Sequence, residues 1–246
     1  MAQRRPRPGA FFVDDEPGLC KRPTGKPLQA EYDCGTDWGG HEAVDLERRT
    51  LIYFPIIHTQ ADMGALSEPI RRLKVKRLGR IGWERNVNRV DKLWAQIEQA
   101  IESLVLNYER VRLFQDGLPV CGREAEIVAE LAKAGSRNHR LLLRLGEKGA
   151  TIMGTESSAL LVEEYQVVKE DFAARRFQAR VPGQARSKAL RESLLKRRDQ
   201  YIARRINETL RRGETGLMFL GMLHSLGDWL DKDIRVVYPI HQPLNC

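Results

Sequence analysis

The sequence predicts an α/β fold, with a mainly parallel sheet and helices on both faces. Two observations carry this: apolar runs of strand length recur along the chain, and helix-length segments separate them, as the crossover connections of a parallel sheet require. A third observation concerns where the runs stop. Thr50 to Ile57 leads into His58, Val111 to Phe114 into Asp116, Ala150 to Met153 into Glu156, and Gly216 to Gly221 into His224. Open parallel sheets bind ligands outside the carboxyl ends of their strands, so two imidazoles and two carboxylates are candidates for one site.

The chain of 246 residues fits one large α/β domain, or a domain of about 200 residues with a tail. Its 30% charged and 42% hydrophobic residues are those of an ordinary folded protein and exclude wholesale disorder. No apolar stretch approaches the roughly 20 residues needed to span a bilayer, and the basic start of the chain is not followed by a signal-peptide apolar region. A cytoplasmic location without membrane contact is the expectation.

Residues 1–49 contain Pro6, Pro8, Pro17, Pro23 and Pro27 and no sustained period, which reads as an N-terminal arm or partly ordered extension. The folded α/β domain is expected over 50–246. Its first strand, Thr50 to Ile57, is continuously apolar, as in a strand covered on both faces, with Pro55 placed near its end. A basic stretch holding Gly79 and Gly82 follows. Leu93, Ile97, Ile101, Leu104 and Tyr108 then recur at spacings of three or four and predict a helix from about Asp91 to Tyr108. After the second strand, Gln115-Asp116-Gly117-Leu118-Pro119 is a turn signal.

Helical sequence resumes near Arg123, is interrupted at Gly135-Ser136 and continues to Gly146. Ser157 or Ser158 caps a helix after the third strand, which Leu160, Leu161, Glu164, Val167, Val168 and Phe172 continue towards Pro182-Gly183. A long basic helix from about Ala185 to Arg212 carries Leu190, Leu194, Tyr201, Ile202, Ile206 and Leu210 on its buried side and stops at Gly213. Gly216 to Gly221 is a central strand by composition, and Ile234 to Tyr238 a final one.

The net charge of +8 is unevenly spread. Between residues 171 and 212 there are 13 Lys and Arg against 4 Asp and Glu, and between 71 and 89 there are 8 against 1. Solvated helix faces and a basic loop explain such blocks, and so does an anionic partner. The second class of function is therefore a non-catalytic nucleic-acid or polyanion-binding protein using segments 71–89 and 171–212, with Trp83 as a stacking platform. The four cysteines form no CxxC pair and read as free thiols, although Cys20 and Cys34 with Asp33 and His41 are a conceivable metal set. No Gly-x-Ser-x-Gly elbow or P-loop occurs, against an ordinary α/β-hydrolase or a Walker NTPase.

The two histidine junctions share a pattern. Pro55-Ile56-Ile57-His58 and Gly221-Met222-Leu223-His224 each place a turn residue and two apolar residues before the imidazole, and Arg198-Asp199 lies on the helix before the last central strand. This half-symmetric arrangement resembles the superfamily of TIKI and TraB proteins, erythromycin esterases and ChaN haem-binding proteins, over about Leu51 to Tyr238. Its histidine motifs follow strands, and a helix bearing Arg-Asp precedes the second histidine. The resemblance implies an α/β core supporting hydrolysis, with a divalent metal in one branch and none required in the esterases. Gly221 and His224 match the second motif, His58 the first histidine, Glu156 an intervening acid, and Arg198 and Asp199 the helical pair. Pro55 stands where the first motif has glycine, and no glutamate precedes His58.

Two chemistries are open to these residues. His58, His224 and Glu156, or Asp116 in its place, supply a His/carboxylate set for a divalent ion with an open position for water. Alternatively a histidine oriented by a carboxylate activates water directly. Arg198 is a candidate clamp for an anionic group, and Gln60, Asp62 and Asp199 are candidate substrate contacts for a small or peptide substrate. Each residue also has a structural reading: hydrogen-bonded strand-end histidines, an Asx-type turn at Asp116, a helix-dipole partner at Glu156 and a charged helix face at Arg198-Asp199. A haem-binding role, implied by one branch of the resemblance and needing His58 or His224 as axial ligand, is the third expectation. Oligomeric state is not readable from the sequence.

Overall fold

The strand sequences assemble into one five-stranded, all-parallel sheet of order β3-β2-β4-β1-β5, as an α/β fold requires. The computed structural model describes residues 48–59, 61–62, 67–176 and 184–240, excepting the side chains of 171–176 and 184–187. In chain order the elements are β1 (Arg49–Ile56), α1 (Ser67–Glu102), β2 (Val111–Gln115), α2 (Glu124–Lys133), α3 (Arg137–Glu147), β3 (Thr151–Met153), α4 (Ser158–Arg176), α5 (Gln184–Thr209), β4 (Thr215–Gly221) and β5 (Ile234–Val237). Residues 1–47 of the arm, with the Cys20/Cys34/Asp33/His41 set, and Gln60 lie outside the described residues, while Arg49, expected in the arm, opens β1. Among the described residues no helix is long and apolar enough to cross a membrane.

The strands bury both faces because successive side chains point to opposite sides. Ile52, Phe54 and Ile56 of β1 join Leu113, Leu217 and Phe219 against Trp94 and Ile97 of α1, Val128 of α2 and Leu142 of α3. Leu51, Tyr53, Phe114, Met218 and Leu220 face the other way, onto Ile202 and Ile206 of α5; Leu190, expected on that buried side, is instead exposed, because the sheet is reached only from Leu194 onward. Burying each of these large side chains contributes about 1.5–3 kcal/mol. The chain moves from β1 through β2 to β3 with α1, α2 and α3 on one face and returns to β4 with α5 on the other, so a single crossover hand serves both directions.

The basic stretch before Asp91 is helix, not loop. Arg and Lys are good helix formers, and Glu68 pairs with Arg71 and Arg72, and Arg80 with Glu84, at helical spacings. Gly79, at φ 72°, kinks α1 without ending it. The helix stops at Glu102 instead of reaching Tyr108, which begins a single 3₁₀ turn into β2. Trp94 is fully buried and its indole N–H donates to the Ile57 carbonyl at 3.3 Å. That bond fixes the end of β1 one residue before His58.

Candidate functional site

β2 leaves the sheet towards β3 and β4 leaves towards β5, so a crevice opens between their adjacent carboxyl ends. Asp116 stands in it. Its N–H extends the ladder by donating to the Phe219 carbonyl at 2.9 Å, and its carboxylate turns inward at 6% exposure. Oδ2 accepts from the Gly221 N–H at 2.9 Å and from His58 Nε2 at 3.0 Å; Oδ1 accepts from Arg198 Nη2 at 2.9 Å. His224 Nε2 lies 3.7 Å from the same Oδ2, an ion-pair distance beyond a hydrogen bond. Both strand-end imidazoles therefore meet at one carboxylate oxygen.

A carboxylate can only accept, so the partners assign the tautomers. His58 donates from Nε2 to Asp116, which leaves Nδ1 as its basic nitrogen. His224 donates from Nδ1 to Asp199 Oδ1 at 2.5 Å, leaving Nε2 facing Asp116, and Asp199 Oδ2 accepts from the Ser225 N–H at 3.2 Å. Accessibility separates the two: the His58 side chain is 31% exposed, that of His224 only 5%.

Behind the imidazoles lies an arginine enclosed by acids. Arg198 of α5 donates from Nε to Glu156 Oε2 at 2.9 Å, from Nη1 to Glu164 Oε1 at 2.7 Å, and from Nη2 to both Asp116 and Glu156. Glu156 also accepts from the Gly117 N–H at 3.1 Å and is fully buried. This explains its environment better than a helix-dipole contact alone. Burial raises the Glu156 carboxyl's pKa against the opposing pull of Arg198. For Asp116, burial pushes upward but is outweighed by the His58 bond and by the charges of His58, His224 and Arg198, so its pKa falls well below the ordinary carboxylate range. Burial lowers the His58 pKa, and the Asp116 bond and charge more than reverse this, for a net rise.

Asp62 sits behind His58 in the loop after β1. It accepts from the Thr59 N–H at 2.6 Å and the Thr59 hydroxyl at 2.8 Å, receives the Ser136 hydroxyl, and lies 3.5 Å from His139 Nδ1. Burial alone would raise its pKa, but bonds from His139, Ser136 and Thr59 bring it down to about 2. Asp62 thus ties the His58 loop to the start of α3. A cleft of about 960 Å³ between α1 and α3 opens beside that loop, with His58 and Thr59 in its wall.

A divalent ion has a candidate set in Asp116, Glu156 and His224, whose ligand atoms lie within 4.8 Å of one another; His58 is not one of the three. The set fits a dication poorly. Arg198 Nη2 is bonded to both acids, so a second cation there would face a guanidinium, and Asp116 Oδ2 is already engaged by Gly221 and His58.

Sequence reasoning placed Glu164 on the stripe of α4 and gave it no role in the site, although a carboxylate among those apolar residues was the signal. The Gly117 and Gly221 N–H groups carried no signal at all, because any residue has a backbone donor. No protein-family model, curated protein or solved structure matches the chain, so fold and site alone define its class: an α/β protein with a His/carboxylate cluster at the carboxyl edge of its sheet.

Proposed function

We propose that the chain is a hydrolase whose general base is His58, oriented by Asp116 and acting without a metal. One observation carries the reading. Asp116 is buried, is held by a backbone N–H of the neighbouring strand, and accepts from the one imidazole of the pair that reaches a cleft. This is what water activation needs: an acid that fixes the tautomer and stabilises the imidazolium, and a basic nitrogen left open to substrate.

In the reaction, water bound in the cleft gives a proton to His58 Nδ1 as its oxygen attacks the carbonyl carbon of an ester or amide. The imidazolium, stabilised by the Asp116 charge, then returns the proton to the leaving oxygen or nitrogen as the carbon–heteroatom bond breaks. His224, backed by Asp199, faces the same Asp116 oxygen from the buried side and tunes its charge. Glu156 and Arg198 form a strut beneath Asp116, because all the acceptors that Arg198 engages are the protein's own carboxylates.

The test is a screen of ester and amide substrates with wild type and His58→Ala. Replacement should remove turnover while circular dichroism and melting stay near wild type. A His58→Ala protein with wild-type turnover of the best substrate would overturn the proposal.

A further inference from the structure

The cleft beside His58 is lined by five cations and three acids, with the cations on both of its walls. Arg137, Arg140 and Arg144 recur at spacings of three and four on α3, and Arg71 and Lys74 come from the first half of α1. Glu98 takes Arg137 at 3.0 and 2.9 Å and lies 3.4 Å from Arg144, while Asp91 of α1 and Glu147 of α3 are the other two acids of the lining. Arg140 is exposed. Lys74 is half-buried with its ammonium 5.8 Å above the Trp83 ring, and burial lowers its pKa. Asp91 and Glu98 offset Arg71 and Lys74 on the α1 wall, so the cationic excess of the lining lies on α3, where three arginines face Glu147 alone, and that excess favours an anionic occupant.

The rest of the lining is apolar or aromatic, including Trp83, Val87, Val90 and Leu143. A volume of about 960 Å³ suits a small organic molecule rather than a bare ion. We infer that this cleft is the substrate pocket of the His58 site and that its ligand is an organic anion with an apolar body: the anionic group lies between Lys74 and Arg140, the hydrocarbon or ring lies against Trp83 and Leu143, and the bond to be cut reaches His58. The inference rests on the hydrolase reading for the last of these three placements only. Electrostatic attraction also concentrates such a ligand at the cleft mouth, because residues 71–89 carry eight basic residues against one acid.

The experiment compares naphthalene-1-sulfonate, a non-hydrolysable anionic probe, with uncharged naphthalene-1-methanol, by calorimetric titration at low salt. The sulfonate should bind about tenfold more tightly or better, the size of one charge-assisted contact in a partly dry site. Arg140→Glu and Lys74→Gln should each bring the ratio of affinities towards one, and Trp83→Ala should weaken both probes. Equal binding of the two probes to wild type, or a ratio unchanged in both charge variants, overturns the inference. His58→Ala keeps the two readings apart: preference for the sulfonate should persist in it while turnover is lost. Turnover persisting in His58→Ala with charge-dependent binding would remove His58 as the base and leave the anion pocket standing.

Discussion

His58 and Asp116 are 58 residues apart in sequence and 3.0 Å apart at the carboxyl edge of the sheet. The pairing joins the ends of β1 and β2, which are not neighbours in the sheet; β4 lies between them, and its Gly221 N–H holds the same Asp116 oxygen. A side chain from one strand thus crosses over the end of another to reach the third. This geometry makes the protonation of His58 and the position of Asp116 a single question.

A general base must be unprotonated, and Asp116 raises the pKa of the His58 imidazole above its ordinary value of 6.5. Turnover should therefore rise with pH along a limb lying above that value. In Asp116→Asn the bond partner's charge is gone, and the limb should move to lower pH while maximal turnover falls. His58→Ala should lose about 10²- to 10⁴-fold in turnover, the usual contribution of a positioned base. A pH–rate profile whose limb is the same in wild type and Asp116→Asn would remove Asp116 from the role assigned to it.

The same shifts fix the pH dependence of stability. The folded pKa of His58 is raised, so its contribution is fully present below about 6.5 and is lost as pH rises through the folded value. The folded pKa of Asp116 is depressed, so its contribution is present above about 3.9 and is lost as pH falls towards the folded value. Urea unfolding of wild type and His58→Leu should accordingly differ most between about pH 4 and 6.5, converging on the alkaline side. A difference that grows above pH 8 contradicts this sign.

Removing Arg198 leaves Asp116 and Glu156 buried beside one another without their cation. Breaking a buried ion pair in this way costs about 3–5 kcal/mol, so Arg198→Met should unfold at much lower urea. Adding Glu156→Gln removes one of the two stranded charges and should restore part of the loss. If the double variant is no more stable than Arg198→Met, the acids are not coupled through the guanidinium.

The poor fit of a dication beside Arg198 gives a further expectation. Dialysis against a strong chelator should leave turnover within about twofold of the untreated protein, and added zinc or manganese should not raise it. Loss of turnover on chelation with recovery on one metal would return the Asp116, Glu156 and His224 set to the centre of the chemistry.

The sheet was legible because each strand is an apolar run that stops at a polar residue, and the site was legible for the same reason: His58, Asp116, Glu156 and His224 are the first groups beyond those runs able to do chemistry. Their roles were not. Asp116 lies in a Gln-Asp-Gly turn signal, and only the spatial order of β2, β4 and β1 makes it the point where two histidines meet. Asp199 looked like a substrate contact; its 2.5 Å bond to His224 across α5 and the β4 exit depends on packing that no local pattern encodes. The first half of α1 was hidden by Gly79 and Gly82, because a glycine that kinks a helix and one that ends it look alike in sequence.

Gly221 precedes His224 by three residues, and the structure supplies a reason for it to be glycine. A β-carbon there would lie 2.9 Å from Asp116 Oδ2, with His224 Cδ2 at 3.7 Å and His58 Nε2 at 3.9 Å. The carboxylate cannot yield easily, since Oδ1 is held by Arg198 and Oδ2 by the Gly221 N–H itself. Gly221→Ala should displace Asp116 by a few tenths of an ångström or more, cost about 1–3 kcal/mol through overpacking, and lower turnover by about 10²-fold through misplaced His58. Gly227→Ala is the matched control, because nothing lies within 4 Å of the β-carbon it would add. Turnover and melting measured side by side decide the point: equal turnover in the two variants would show that the close approach of β4 to Asp116 does not set the geometry of the site.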